Sequence, residues 1–223
     1  MKHDNILKIK RITILALFCA LAYVCMLFVK IPVQFLTLDV KDSVITLCAM
    51  LFGPVYGIII SVLVPFVEMI TISGTGPYGF VMNVLGSLAF SVVAGVIYKY
   101  KKTIYGAVTG LLSGAFAMIA VMLLANLFIT PRYMGCTTAD VVRLIPSLLL
   151  PFNVIKSVLN AAVVLLLYKP LSNILKRTGF IESASGETAV KNTNKTRSVI
   201  ETVSAVLVIA ISLVAVFLLI RSF

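Results

Sequence analysis

Residues 149–160 (LLPFNVIKSVLN) set polar groups inside an otherwise apolar run. Asn153, Lys156 and Asn160 stand at i, i+3 and i+7, so they share one face of a helix. A lysine inside a bilayer costs about 2.5–3.5 kcal/mol on insertion scales, and its ammonium needs a cavity, a partner or a route to the interface. Amides donate and accept, and an ammonium donates, which together suit a flat, largely apolar ligand with carbonyl and imide edges. Pro151 adds a freed backbone carbonyl and a kink. The stretch reads as one wall of a binding site. Outward snorkelling of Lys156, or a purely structural pairing with backbone, are the alternatives.

The composition says where such a wall must sit. Of 223 residues, 61% are hydrophobic and 12% charged, with a mean hydropathy of +1.11. A soluble domain is closer to one quarter charged, so this is an integral membrane protein, and its long apolar runs favour helices over a barrel. The net charge of +11 fits basic residues gathered on the cytoplasmic side better than nucleic-acid binding. Cys19, Cys25, Cys48 and Cys136 lack metal-ligand spacing, and His3 cannot anchor a metal alone. No metal site is expected. The chain has no GxxxxGK[ST] loop, no HExxH and no GxSxG, so it neither hydrolyses ATP itself nor offers catalytic residues. Paired carboxylates are missing from the apolar runs, which argues against an autonomous proton-coupled pump. Binding or transport remains; a membrane enzyme lacks a catalytic pair, and a purely structural role leaves the Asn153/Lys156 face unexplained.

The elements that position this wall follow in order. A basic start precedes an apolar helix at 12–29, which is long enough to span and reads as uncleaved although Ala20-Leu21-Ala22 mimics a cleavage site. Within it, Ala16 and Ala20 form a small-xxx-small pair that serves either packing inside the bundle or docking of another helix. Residues 30–42 mix large apolar groups with Asp39, Lys41 and Asp42, and read as a folded loop on the bundle mouth, placed to act as a lid. A short second helix ends near Phe52 at the Gly53-Pro54 turn, and a third runs over 54–72 with Pro65 as a kink. Glu68, near its outer end, is a further site candidate. After the turn SGTGPY at 73–78, a fourth helix spans 79–98 and carries Asn83. A fifth, over 104–129, carries Gly106, Gly110 and Gly114 in a GxxxGxxxG series, and Asn126. A loop at 130–140 leads to the sixth, over 143–168. The expected domains are a membrane domain at 1–177, a polar cytoplasmic linker at 178–198 and an extra C-terminal membrane helix at 199–223. Basic residues put the N-terminus inside, with Lys99, Lys101, Lys102, Lys169, Lys176 and Arg177 on the cytoplasmic face.

Several stretches together carry a resemblance. Asn126 with Thr130-Pro131-x-Tyr133-Met134-Gly135, Leu150-Pro151-Phe152-Asn153-x-x-Lys156, the loop from Phe35 to Asp39 with Asp42, and Gly74-Thr75-Gly76-x-x-Gly79-x-x-Met82-Asn83 occur in this order. Over about residues 10–177 the chain resembles the riboflavin-specific substrate-binding (S) components of energy-coupling-factor transporters, the RibU family. The resemblance implies an all-α, six-transmembrane-helix S-component bundle in a bacterial cell membrane, with a seventh helix appended. It implies capture of riboflavin from outside and inward release driven by a separate transmembrane coupling protein and a pair of ATPases. Riboflavin is then the transported ligand, and no resident cofactor is expected. Ligand contacts implied are Phe35, Leu36, Thr37, Leu38, Thr75, Gly76, Tyr78, Asn126, Asn153 and Lys156, while Ala16 and Ala20 match the alanine motif that docks the coupling protein. The alternative is an S component for another vitamin or small molecule. The linker and seventh helix are not required by a six-helix family; contact with neighbouring subunits or a dispensable anchor would each account for them.

Overall fold

Gly53 and Pro54 break the long apolar run after residue 43 at the expected point. Gly53 adopts φ +111°, a value that favours glycine, and Pro54 opens the next helix, where its missing N–H costs nothing. The computed structural model describes residues 2–177 and 195–221, so most of the expected linker lies outside the described residues. The elements run α1 (Lys2–Phe28), a hairpin of β1 (Ile31–Val33) and β2 (Leu36–Leu38), α2 (Lys41–Phe52) and α3 (Pro54–Thr71). They continue with α4 (Gly76–Tyr100), α5 (Ile104–Met134), α6 (Thr138–Leu144), a π-helical turn at Ile145–Leu149, α7 (Leu150–Arg177) and α8 (Lys195–Arg221). Among the described residues, six helical stretches are long and apolar enough to cross a membrane: Ile9–Phe28, Pro54–Thr71, Gly76–Tyr100, Ile104–Met134, Thr138–Ile174 and Thr202–Arg221. The protein is a multi-pass, all-α membrane protein.

The short helix α2 is the hub. Its 12 residues extend only about 18 Å, yet Lys41–Met50 are all buried, and α1, α3, α4 and α7 pack against it. Its lower part (Val44, Ile45, Leu47, Cys48) joins Phe18 of α1, Ile60 of α3, Phe90 of α4 and Leu111 of α5 in the main apolar core. Its first turn instead buries Lys41, Asp42 and Ser43. The most extensive interface joins α4 to α5, and glycines make it close. A Cβ on Gly110 would lie 2.9 Å from the Ala94 carbonyl oxygen, and one on Gly114 would lie 2.6 Å from that of Phe90. Two members of the GxxxGxxxG series therefore let these backbones touch.

Several boundaries differ from the sequence expectation, each for a physical reason. The fifth helix continues through Pro131 to Met134 and stops only at Gly135, which takes the left-handed φ of +67° suited to a helix end. Proline is tolerated there because membrane helices re-satisfy the carbonyl it frees. The folded loop expected at 30–42 takes the form, over residues 31–38, of an antiparallel hairpin pairing Ile31 with Leu38 and Val33 with Leu36. Its two-residue turn holds Gln34 at φ +53°. The kink expected at Pro151 takes the form of the π-helical turn just before it, where Leu150 N–H bonds to the Ile145 carbonyl. The last helix begins at Lys195, inside the segment expected to be linker.

Candidate ligand-binding site

The site is built over the polar first turn of α2. Asp39, between the hairpin and α2, accepts from the Lys156 ammonium of α7 at 3.0 Å and from Lys41 at 3.2 Å. Lys41 also reaches Glu68 of α3 at 2.8 Å, and Lys156 lies 3.7 Å from Asp42. Asn83 of α4 donates to Glu68 at 3.0 Å, Ser87 donates to Asp42, and Lys30 stands 4.0 Å from Glu68 at the rim. Burial alone would raise the Asp39 carboxyl, but Lys156 and Lys41 outweigh it and hold it down at about 2. Asn160 staples the same region: its Nδ2 donates to the Asp39 carbonyl at 3.0 Å, and its Oδ1 accepts from the Ser43 N–H at 2.8 Å. Three carboxylates from outside or at the edge of the apolar runs are thus gathered into one buried cluster with balancing lysines. Such a cluster is stable only when every member is paired, which this one is.

Above the cluster opens a cavity of about 430 Å³, a size suited to a small organic ligand. The hairpin contributes Phe35, Leu36 and Thr37, the start of α4 contributes Thr75 and Tyr78, α5 contributes Asn126, and α7 contributes Lys156. Those seven expected residues come together on one cavity. Leu38, Gly76 and Asn153 do not line it. Leu38 is buried in a second apolar core with Leu148, Leu149 and Phe152, a core that Leu36, on the same face of the strand, joins from the cavity wall. Gly76 opens α4 with φ +55°. Asn153 is fully buried; its Nδ2 donates to the Leu149 carbonyl at 2.7 Å, and its Oδ1 is the buried side-chain oxygen without a hydrogen-bond partner among the described residues. Asn126 is held from both ends, donating to the Met122 carbonyl at 2.7 Å and accepting from Thr130 at 2.8 Å.

The cavity also includes Glu68, the further candidate read from the sequence, and residues outside the expected contact set. Glu68, Asn83 and Lys30 put the edge of the ionic cluster in its wall, while Met82, Met122 and Phe152 supply apolar surface. Tyr133 pairs with Tyr78 at the mouth, ring centroids 6.0 Å apart. The methionines carry no polar signal that could have marked them. Tyr133 lay in a stretch expected to be loop, and only the extension of α5 brings it to the wall.

On α1, Ala16 and Ala20 are exposed beside Ile12, Leu17 and Leu21, whereas Ile14, Phe18 and Ala22 face the core. The small-residue pair therefore lies on the outer surface of the bundle.

Known proteins match this chain in sequence and in fold. Residues 10–168 match the family described as ECF transporter, substrate-specific component. The chain is 34% identical over 183 residues to the riboflavin transporter RibU of Staphylococcus aureus (strain TCH60), covering 78% of this chain and 96% of that protein. It also superimposes on a solved S component of a bacterial ECF transporter with a TM-score of 0.66 and 32% identity, over 76% of this chain and 99% of that one. The family match ends at residue 168, so α8 lies beyond it. The chain belongs to the substrate-specific components of ECF transporters.

Proposed function

We propose that this protein captures riboflavin at the outer face of a bacterial cell membrane and releases it inward, driven by a transmembrane coupling protein and an ATPase pair. The observation that carries the cargo is the 34% identity to a protein named a riboflavin transporter, across nearly all of that protein's length. The cavity suits such a cargo. Its apolar wall of Met82, Met122, Phe152 and Phe35 accepts a flat ring system, and Asn126 and Lys156 offer polar groups at its edges. The unpaired Oδ1 of Asn153, buried next to the wall residue Phe152 rather than on the wall itself, becomes an acceptor for an imide N–H when the ligand displaces that wall. Phe35, Leu36 and Thr37 close the cavity from the hairpin, and Thr75 and Tyr78 from the start of α4.

The N-terminus lies in the cytoplasm in this reading, which the basic residues Lys99, Lys101, Lys102 and Lys169 support. The hairpin and the cavity then face outward. Ala16 and Ala20 form the surface on which the coupling protein's helix approaches closely. The membrane domain of residues 1–177 is the binding unit, and residues 178–194 connect it in sequence to α8, which starts at Lys195. The protein works as a carrier rather than an enzyme. Protein purified from cells without added ligand should carry flavin absorbance that chases out with excess riboflavin. A colourless preparation that instead retains another vitamin would reassign the cargo within the same family.

A further inference from the structure

A second cavity lies away from the ligand site, on the flank of the bundle. It is a cleft of about 510 Å³ between α5, α7 and α8. Val108 and Leu112 line it from α5, Ala162 and Leu165 from α7, and Ala205 and Val208 from α8. Along α7 it runs from Val158 to Lys169, about 16 Å by the helical rise. That is close to the depth of one leaflet of a hydrocarbon core about 30 Å thick.

Its polar groups gather at one end. Tyr105, Lys169 and Ser204 stand there, at the start of α5, late in α7 and early in α8. The α4–α5 connection adds Lys101 and Lys102, both exposed, and the Lys101 backbone packs directly on Gly106, beside Tyr105. An apolar slot one leaflet deep, with Lys169 in its wall and the exposed Lys101 and Lys102 on the adjoining connection, matches an acyl chain beneath an anionic headgroup. A transmembrane helix of another protein would need a groove of full bilayer depth. Because α8 lies beyond the family match at residues 10–168, the third wall is an addition to the bundle.

We propose that this cleft is a binding site for an anionic phospholipid, with one acyl chain between α5, α7 and α8 and the headgroup phosphate drawn to Lys101, Lys102 and Lys169. The site is independent of the cargo carried in the other cavity.

The test is native mass spectrometry of the full chain, stripped of lipid in detergent and titrated with dioleoyl phosphatidylglycerol or dioleoyl phosphatidylcholine. One phosphatidylglycerol should be retained per chain in preference to phosphatidylcholine. Lys169→Gln should weaken phosphatidylglycerol about fivefold, and the triple change of Lys101, Lys102 and Lys169 to Gln on the order of a hundredfold, with phosphatidylcholine unaffected. Ala205→Phe fills the slot and should abolish retention of either lipid, with monodisperse elution checking its fold. If that variant does not fold, the lysine series decides alone. Equal retention of the two lipids, undiminished binding by the filled variant, or a lipid-free pair of chains would overturn the proposal.

Discussion

Asn153 and Lys156 sit three residues apart on one helix, yet their environments make them respond oppositely to substitution. Lys156 is bound to Asp39 and close to Asp42, so Lys156→Met leaves buried carboxylates short of a cation. We expect the ligand-free mutant to lose about 3 kcal/mol or more of stability, seen as a lowered melting temperature in detergent. Weakened riboflavin binding by that mutant would therefore mix scaffold with site. Asn153 separates them. Its Oδ1 is already unpaired, a condition that costs about 1–3 kcal/mol, so Asn153→Leu should leave the ligand-free protein as stable as before or more so. Its riboflavin affinity should fall about tenfold or more, the value of one lost hydrogen bond. Unchanged affinity in a folded Asn153→Leu protein would remove this amide from the site.

Among the elements, α1 offers the clearest division of labour, because its exposed and core faces are distinct. Replacing Ala16 and Ala20 with Leu adds bulk only on the outer surface. Riboflavin binding by the purified protein should persist, while uptake by cells supplying the coupling protein and ATPases should be lost. Continued uptake would place the docking surface elsewhere. Much of the element layout was legible in the sequence. Gly53-Pro54 announced a helix break, and the i, i+3, i+7 spacing put Lys156 and Asn160 on one inward face. The hairpin was not legible as strands, because its turn residues Gln34 and Phe35 lack the Asn-Gly type of signal. Pro131 misled about the end of α5, since a helix usually stops before proline, whereas Gly135 marked the true end. The ionic cluster was hidden for another reason: Asp39, Glu68 and Lys156 are far apart in sequence, and only the packing of α2, α3 and α7 brings them together. Seven of the expected contacts reached one cavity because Thr75, Tyr78, Asn126 and Lys156 sit toward helix ends that open at one face, and the hairpin carrying Phe35, Leu36 and Thr37 lies over that face.

At the scale of the whole molecule, ligand binding and the added helix occupy different places. No residue of α8 lines the first cavity among the described residues, although Val216 is buried in the apolar core that also holds Phe152. A chain ending at Arg177 should therefore bind riboflavin within about tenfold of the full chain, or 1.4 kcal/mol, when titrated in the same detergent. A larger loss by a folded truncated protein would make α8 part of the binding unit. The central claim, that the outer cavity is a riboflavin site, is tested most directly by titrating riboflavin into the ligand-free full chain and following quenching of its fluorescence. The account predicts saturable binding of one riboflavin per chain, weakened in Asn153→Leu. Absence of saturable quenching from a folded, monodisperse protein would contradict it.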